Sequence, residues 1–143
     1  MKAWVGIDPG KLGALALIVE DGRAWAWDWA GADKMRDKLE DIMTLDVKHV
    51  SLERVGARPG QGVVSMFSFG ANWGWWHGIL DGLKAPYALV TPQTWMKGVV
   101  GKEGAMVAAA RLFPEVSLYG PKGGAKDGRA DALLLAHYAR RQA

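Results

Sequence analysis

The sequence predicts an α/β protein built on a mixed five-stranded sheet with helices on both faces. Three observations predict it. Three short strand-like segments follow one another at the N-terminus. Two later ones alternate with stretches of helical spacing. Gly, Pro and Asp punctuate most of the junctions. At 143 residues, half of them hydrophobic, the chain suits one domain over 1–143 and supplies a sizeable core.

Ala3–Asp8 is an apolar run ending at Pro9-Gly10, the pattern of a buried strand closed by a turn. Gly13–Glu20 is a second strand, and Asp21-Gly22 is a hairpin turn signal. Arg23–Ala30 alternates, so Trp25, Trp27 and Trp29 share one face, as a packing surface or a base-stacking platform. Asp33–Met43 has helical spacing, with Met35, Leu39 and Ile42 apolar. Lys48–Glu53 reads as a fourth strand, Val63–Leu83 as a long helix and Ala85–Val90 as a fifth strand. Thr91 then caps a short helix through Lys97, with Pro92 at its first position. Glu103–Phe113 is helical and stops before Pro114. A Gly/Lys/Pro loop over Ser117–Lys126 leads into a closing helix that ends at Arg141.

Composition excludes several classes. There is no cysteine, so disulfides, thiolate metal sites and cysteine nucleophiles are all absent. Met1–Gly10 runs straight into a strand and a turn, so no signal peptide is expected. Val63–Leu83 is interrupted by Ser65, Ser68, Asn72, His77 and Asp81, so no membrane span is expected. The net charge of +3 is unevenly spread. Lys84–Ala143 holds nine Lys and Arg against four acids, and two of those acids are candidate metal ligands. Such a surface fits a polyanionic partner such as DNA, or serves only solubility.

Of the fifteen acids, four sit where solvation is poor. Asp8 ends an apolar strand before a tight turn, and Glu53 ends another. Strand ends in a sheet protein face the crevice where ligands bind. Asp131 lies within the apolar start of the closing helix, and Asp127 is one turn earlier on the same face. Taken singly, each has an ordinary alternative: a turn cap for Asp8, a helix cap for Asp127, a solvated first turn for Asp131, an ion pair with Arg54 for Glu53. Four such acids meeting would repel one another unless a cation joined them. Oxygen-only donors then point to Mg²⁺, with Mn²⁺ as a substitute, rather than Zn²⁺. Two such ions about 4 Å apart are suited to phosphodiester hydrolysis. Spacing alone does not establish that the four converge.

Gly6-Ile7-Asp8-Pro9-Gly10 resembles the opening strand motif of RuvC-type Holliday junction resolvases. Ser51-Leu52-Glu53-Arg54-Val55 resembles their second acidic motif, and Asp127-Gly128-Arg129-Ala130-Asp131-Ala132-Leu133 their C-terminal motif. Ala57–Gly62 and Val90–Trp95 are similar to phage-encoded and related bacterial members. The opening motif also occurs in actin-like ATPases, but 143 residues do not supply their two lobes. The resemblance implies an RNase H-like fold, a homodimer, Mg²⁺-dependent nicking of branched DNA, and a cytoplasmic setting in a bacterial or phage-infected cell. Asp8, Glu53 and Asp131 fall on the family's metal ligands. The last two acids of many members are three residues apart. Position 128 here is Gly, so the fourth ligand is placed at Asp127.

Within Val63–Leu83, Gly70, Gly74, Gly78 and Gly82 recur every fourth residue and form one bare ridge on a helix. Each interior glycine costs about 1 kcal/mol relative to alanine, so something offsets it. Close approach of the chain's own sheet, another helix, or the same helix of a second copy are the alternatives. The resemblance favours a homodimer through this helix. Met66, Phe69, Trp73, Trp76, Leu80 and Leu83 form an adjacent apolar stripe. Arg54, Arg58, Lys102, Lys122, Lys126 and Arg129 lie beside the motifs as candidates for phosphate contacts.

Overall fold

The computed structural model describes residues 1–54, 60 and 62–142. The chain forms β1 (Lys2–Asp8), β2 (Ala14–Val19), β3 (Ala24–Asp28), α1 (Ala32–Ile42), β4 (Asp46–Glu53), α2 (Val63–Gly82), β5 (Tyr87–Val90), α3 (Pro92–Met96), α4 (Ala105–Leu112) and α5 (Asp127–Gln142). The five strands make one sheet in the order β3-β2-β1-β4-β5. The N-terminal meander is antiparallel, whereas β4 and β5 run parallel to β1. The ends of β1 and β4 therefore lie side by side. Ile7 pairs with Leu52, one residue before Asp8 and Glu53.

Alternation along the strands divides the core in two. Val5, Ile7, Leu17, Val50 and Leu52 pack with Leu39 of α1 and with Trp76 and Leu80 of α2. Ala14, Ala16 and Ile18 face the other way, toward Trp95, Ala109 and Leu134. Leu133, Leu134 and Leu135 are buried, each stabilising the fold by roughly 1.5–3 kcal/mol. The closing helix α5 lies across β1, β2 and β4. Two glycines let its backbone approach. A β-carbon at Gly6 would overlap the Ala132 carbonyl and the Ala136 amide nitrogen. One at Gly128 would overlap the Leu12 carbonyl.

Several expected boundaries move for identifiable reasons. β5 begins at Tyr87 rather than Ala85, because Pro86 has no N–H and enters the ladder only as an acceptor for the Val50 amide. α4 begins at Ala105 rather than Glu103, because Gly104 sits at φ 95° and interrupts the helix before it starts. Thr91 occupies the N-cap position of α3, but its hydroxyl pairs with that of Thr94 instead of a backbone amide. Of the three alternating tryptophans, Trp27 and Trp29 pack against the α1/α2 side of the sheet, and Trp29 meets Trp75 and Trp76 edge-on. Trp25 stays exposed, with the Arg23 guanidinium 5.5 Å from its ring centre.

The stripe on α2 is covered only in part. Trp76 and Leu80 are buried, whereas Met66, Phe69, Trp73 and Leu83 are half-buried. The glycine ridge faces away from the sheet. A β-carbon at Gly70, Gly74, Gly78 or Gly82 would meet nothing within 4 Å. Val63, Val64 and Phe67, at the start of the same helix, are about four-fifths exposed. The chain's own core thus does not offset the cost of these glycines. Among the described residues, no helix is long and apolar enough to cross a membrane.

Candidate active site

Asp8, Glu53, Asp127 and Asp131 share one end of the sheet. Asp8 is the last residue of β1 and Glu53 the last of β4, on neighbouring parallel strands. Asp127 opens α5, and Asp131 follows one turn later. Asp8 accepts a hydrogen bond from the Gly10 amide at 3.2 Å. Burial outweighs that bond and raises its carboxyl above the ordinary range. Asp131 is pushed up to about 7, first by desolvation and then by the negative charges of Asp8, Glu53 and Asp127. Asp8, Glu53 and Asp127 are therefore all within electrostatic reach of Asp131, which spacing could not establish.

The chemistry of the donor set fits a divalent cation that prefers oxygen ligands. Among the described residues, no three of these side chains already stand at ligand spacing about one point. Gly128 explains the four-residue separation of the last two acids. Its position faces the Leu12-Gly13 backbone so closely that no side chain fits there. An acid at 128 would collide with the β1–β2 turn, whereas Asp127, exposed at the helix start, is within electrostatic reach of Asp131.

Glu53 is buried, and its carboxylate Oε2 accepts a 2.7 Å hydrogen bond from the Trp95 indole. Trp73 donates to the Glu53 carbonyl at 3.2 Å, and Asn72 donates to the Pro9 carbonyl at 2.7 Å. Sequence reasoning assigned none of these three a site role. The available signal was a lone tryptophan in the short polar helix just after β5.

The cationic candidates divide. Arg54, Lys102 and Lys122 are exposed. Lys126 is half-buried, with Nζ 3.8 Å from Asp28. Arg129 has a different use from the one expected. Its guanidinium grips Asp28 through two hydrogen bonds, at 2.7 and 3.0 Å, and donates to the carbonyls of Ser117 and Tyr119. Its side chain is only 18% exposed, and through these bonds it ties β3 and the 117–119 loop to α5. That pairing also holds the Asp28 carboxyl below its ordinary range. Arg58 lies outside the described residues. Lys11, which the motifs did not single out, joins Asp28, Trp29, Lys126 and Asp127 around a pocket of about 320 Å³ beside the acids.

The fold is that of RuvC, an RNase H-like fold. The structure of T. thermophilus RuvC in complex with a Holliday junction substrate superposes with a TM-score of 0.64 at 14% identity. The match covers 95% of this chain and 90% of that one. A second Thermus thermophilus RuvC structure gives a TM-score of 0.57 at 16% identity, over 94% and 90% of the two chains. At the level of sequence, no family model and no curated protein matches this chain.

Proposed function

We propose that this protein is a Mg²⁺-dependent, structure-selective endodeoxyribonuclease that nicks branched DNA and resolves four-way junctions. The observation that carries the reading is the placing of Asp8, Glu53, Asp127 and Asp131 at one end of a RuvC-like sheet, with Asp131 raised to about 7 by desolvation and then by the charges of the other three. These four carboxylates would hold the metal. At one or two carboxylates per Mg²⁺, four suit two ions. Bound Mg²⁺ or Mn²⁺ would supply Lewis acidity and an activated water for phosphodiester hydrolysis.

The chain's own residues do the rest. Asp8 and Glu53 extend from strands held rigid by pairing on both sides. The raised Asp131 carboxyl, at about 7, would fall once a cation neutralised the charge around it. Lys11 and Lys126 stand beside Asp127, placed to attract a phosphate backbone without reading sequence. Arg54, Lys102 and Lys122 extend the positive surface. A homodimer through α2 would present two sites to the two strands of a symmetric junction, and the bare glycine ridge supports that contact.

The test is nicking of a labelled synthetic four-way junction in Mg²⁺, beside flap, linear duplex and RNA–DNA hybrid, by wild type and Asp8→Asn. Paired symmetric nicks near the branch point, lost in the variant, are expected. Cutting of flaps or hybrids instead would retain the nuclease and replace the substrate. Tight junction binding with no cutting by either protein would overturn the enzyme reading in favour of a binding module.

A further inference from the structure

The strand ends bearing Asp8 and Glu53 are gripped by side-chain N–H donors from two helices. On α3, Trp95 is 1% exposed and its indole reaches Glu53 Oε2 at 2.7 Å. On α2, neighbouring residues serve the two strands separately. Trp73 donates to the Glu53 carbonyl, and Asn72 to the carbonyl of Pro9, the residue after Asp8.

We infer that Trp95 is a positioning residue that sets the orientation of the Glu53 carboxylate, while Trp73 and Asn72 hold the two strand ends beneath it. The inference rests on the metal-dependent reading above. The last torsion of a glutamate is broad, so the backbone alone does not fix where its oxygens point. A donor at 2.7 Å on one oxygen restricts that freedom. An indole suits this task. It donates only, carries no charge, and so orients Glu53 without cancelling the negative field that attracts a cation. A lysine at position 95 would compete with the metal for the same carboxylate. The burial of Trp95 against α4 and α5 fixes the donor in turn. Partners that orient metal-binding side chains contribute about 10–100-fold to affinity or activity in general.

Trp95→Phe keeps the ring and removes the donor, and Trp73→Phe does the same for the carbonyl contact. Three readouts are compared with wild type: calorimetric titration with Mn²⁺ alone, thermal melting in EDTA, and single-turnover nicking of a four-way junction over a range of Mg²⁺. Trp95→Phe should melt cooperatively, bind Mn²⁺ about 10-fold or more weakly, and regain most of its nicking rate at high Mg²⁺. That rescue would not follow from a purely structural defect. Trp73→Phe should show a smaller loss of the same kind, and it carries the test if Trp95→Phe does not melt cooperatively. Wild-type Mn²⁺ affinity in both variants, within about two-fold, overturns the inference while leaving the metal site standing. Failure of the wild type to bind Mn²⁺ overturns the metal reading and the inference with it.

Discussion

Asp131→Asn removes a carboxylate that is poorly solvated and faces the charges of Asp8, Glu53 and Asp127, and it requires no substrate. The Asp131 carboxyl rises from 3.8 to about 7 in the folded chain, so the folded state holds its proton more tightly than the unfolded state. Stability then falls as pH rises from about 4 to about 7 and levels off above that. At 1.36 kcal/mol per pH unit, the full effect has a ceiling of roughly 4 kcal/mol. Asp131 is only half-buried, and relaxation and solvent screening reduce this to about 1–3 kcal/mol. Asparagine keeps the shape and removes the charge. In EDTA at pH 8 the variant should melt roughly 3–12 °C above wild type. The gap should shrink through pH 6 and 5 and close near pH 4. Differential scanning calorimetry at those pH values measures it directly. A gap that does not change with pH, or a lower melting temperature for the variant at pH 8, would refute the raised Asp131 carboxyl.

The glycine ridge makes a prediction of opposite sign for two measurements. Gly74→Leu has open space around its β-carbon, so the monomer's thermal stability should hold or rise by up to about 1 kcal/mol. The same change should shift a dimer toward monomer in size-exclusion chromatography with light scattering; a wild type that is monomeric at micromolar concentration would count against the α2 contact. Gly6→Ala forces a methyl into the α5 backbone and should cost about 3 kcal/mol or more, or prevent folding, as read by urea denaturation. Arg129→Ala removes the grip on Asp28 and two carbonyls and should cost about 1–2 kcal/mol. Asp28 is depressed in the folded state, so its contribution is present above its unfolded value of 3.8 and lost as pH falls below it. The acid limb of the stability profile should therefore flatten in Arg129→Ala, and an unchanged limb would mean that the pair carries no stability. Lys126→Ala should weaken junction binding across all sequences and lower its salt dependence, measured by titration at several salt concentrations.

What the sequence determined by itself was local. Apolar runs, alternation, helical spacing and turn residues are properties of neighbouring positions, and they placed the ten elements of the described residues with ends shifted by one or two residues. The same local signals identified Asp8 and Glu53 as strand-end acids and Asp127 and Asp131 as one face of the closing helix. Tertiary structure decided whatever depends on residues far apart in the chain. Strand order brings β4 beside β1, and only then do Asp8 and Glu53 end neighbouring strands. Arg129 looked like a phosphate contact until folding placed it against Asp28, 101 residues away. Trp73 was one residue of an apolar stripe and Trp95 the end of a motif, until the fold set their N–H groups on Glu53, 20 and 42 residues distant. The glycine ridge was equally consistent with burial or exposure, because a helix's periodicity reports which residues share a face but not what that face meets. Spacing along a chain constrains direction within an element. The partner across space depends on how the elements pack, and that is settled by the balance of burial and close approach over the whole sheet.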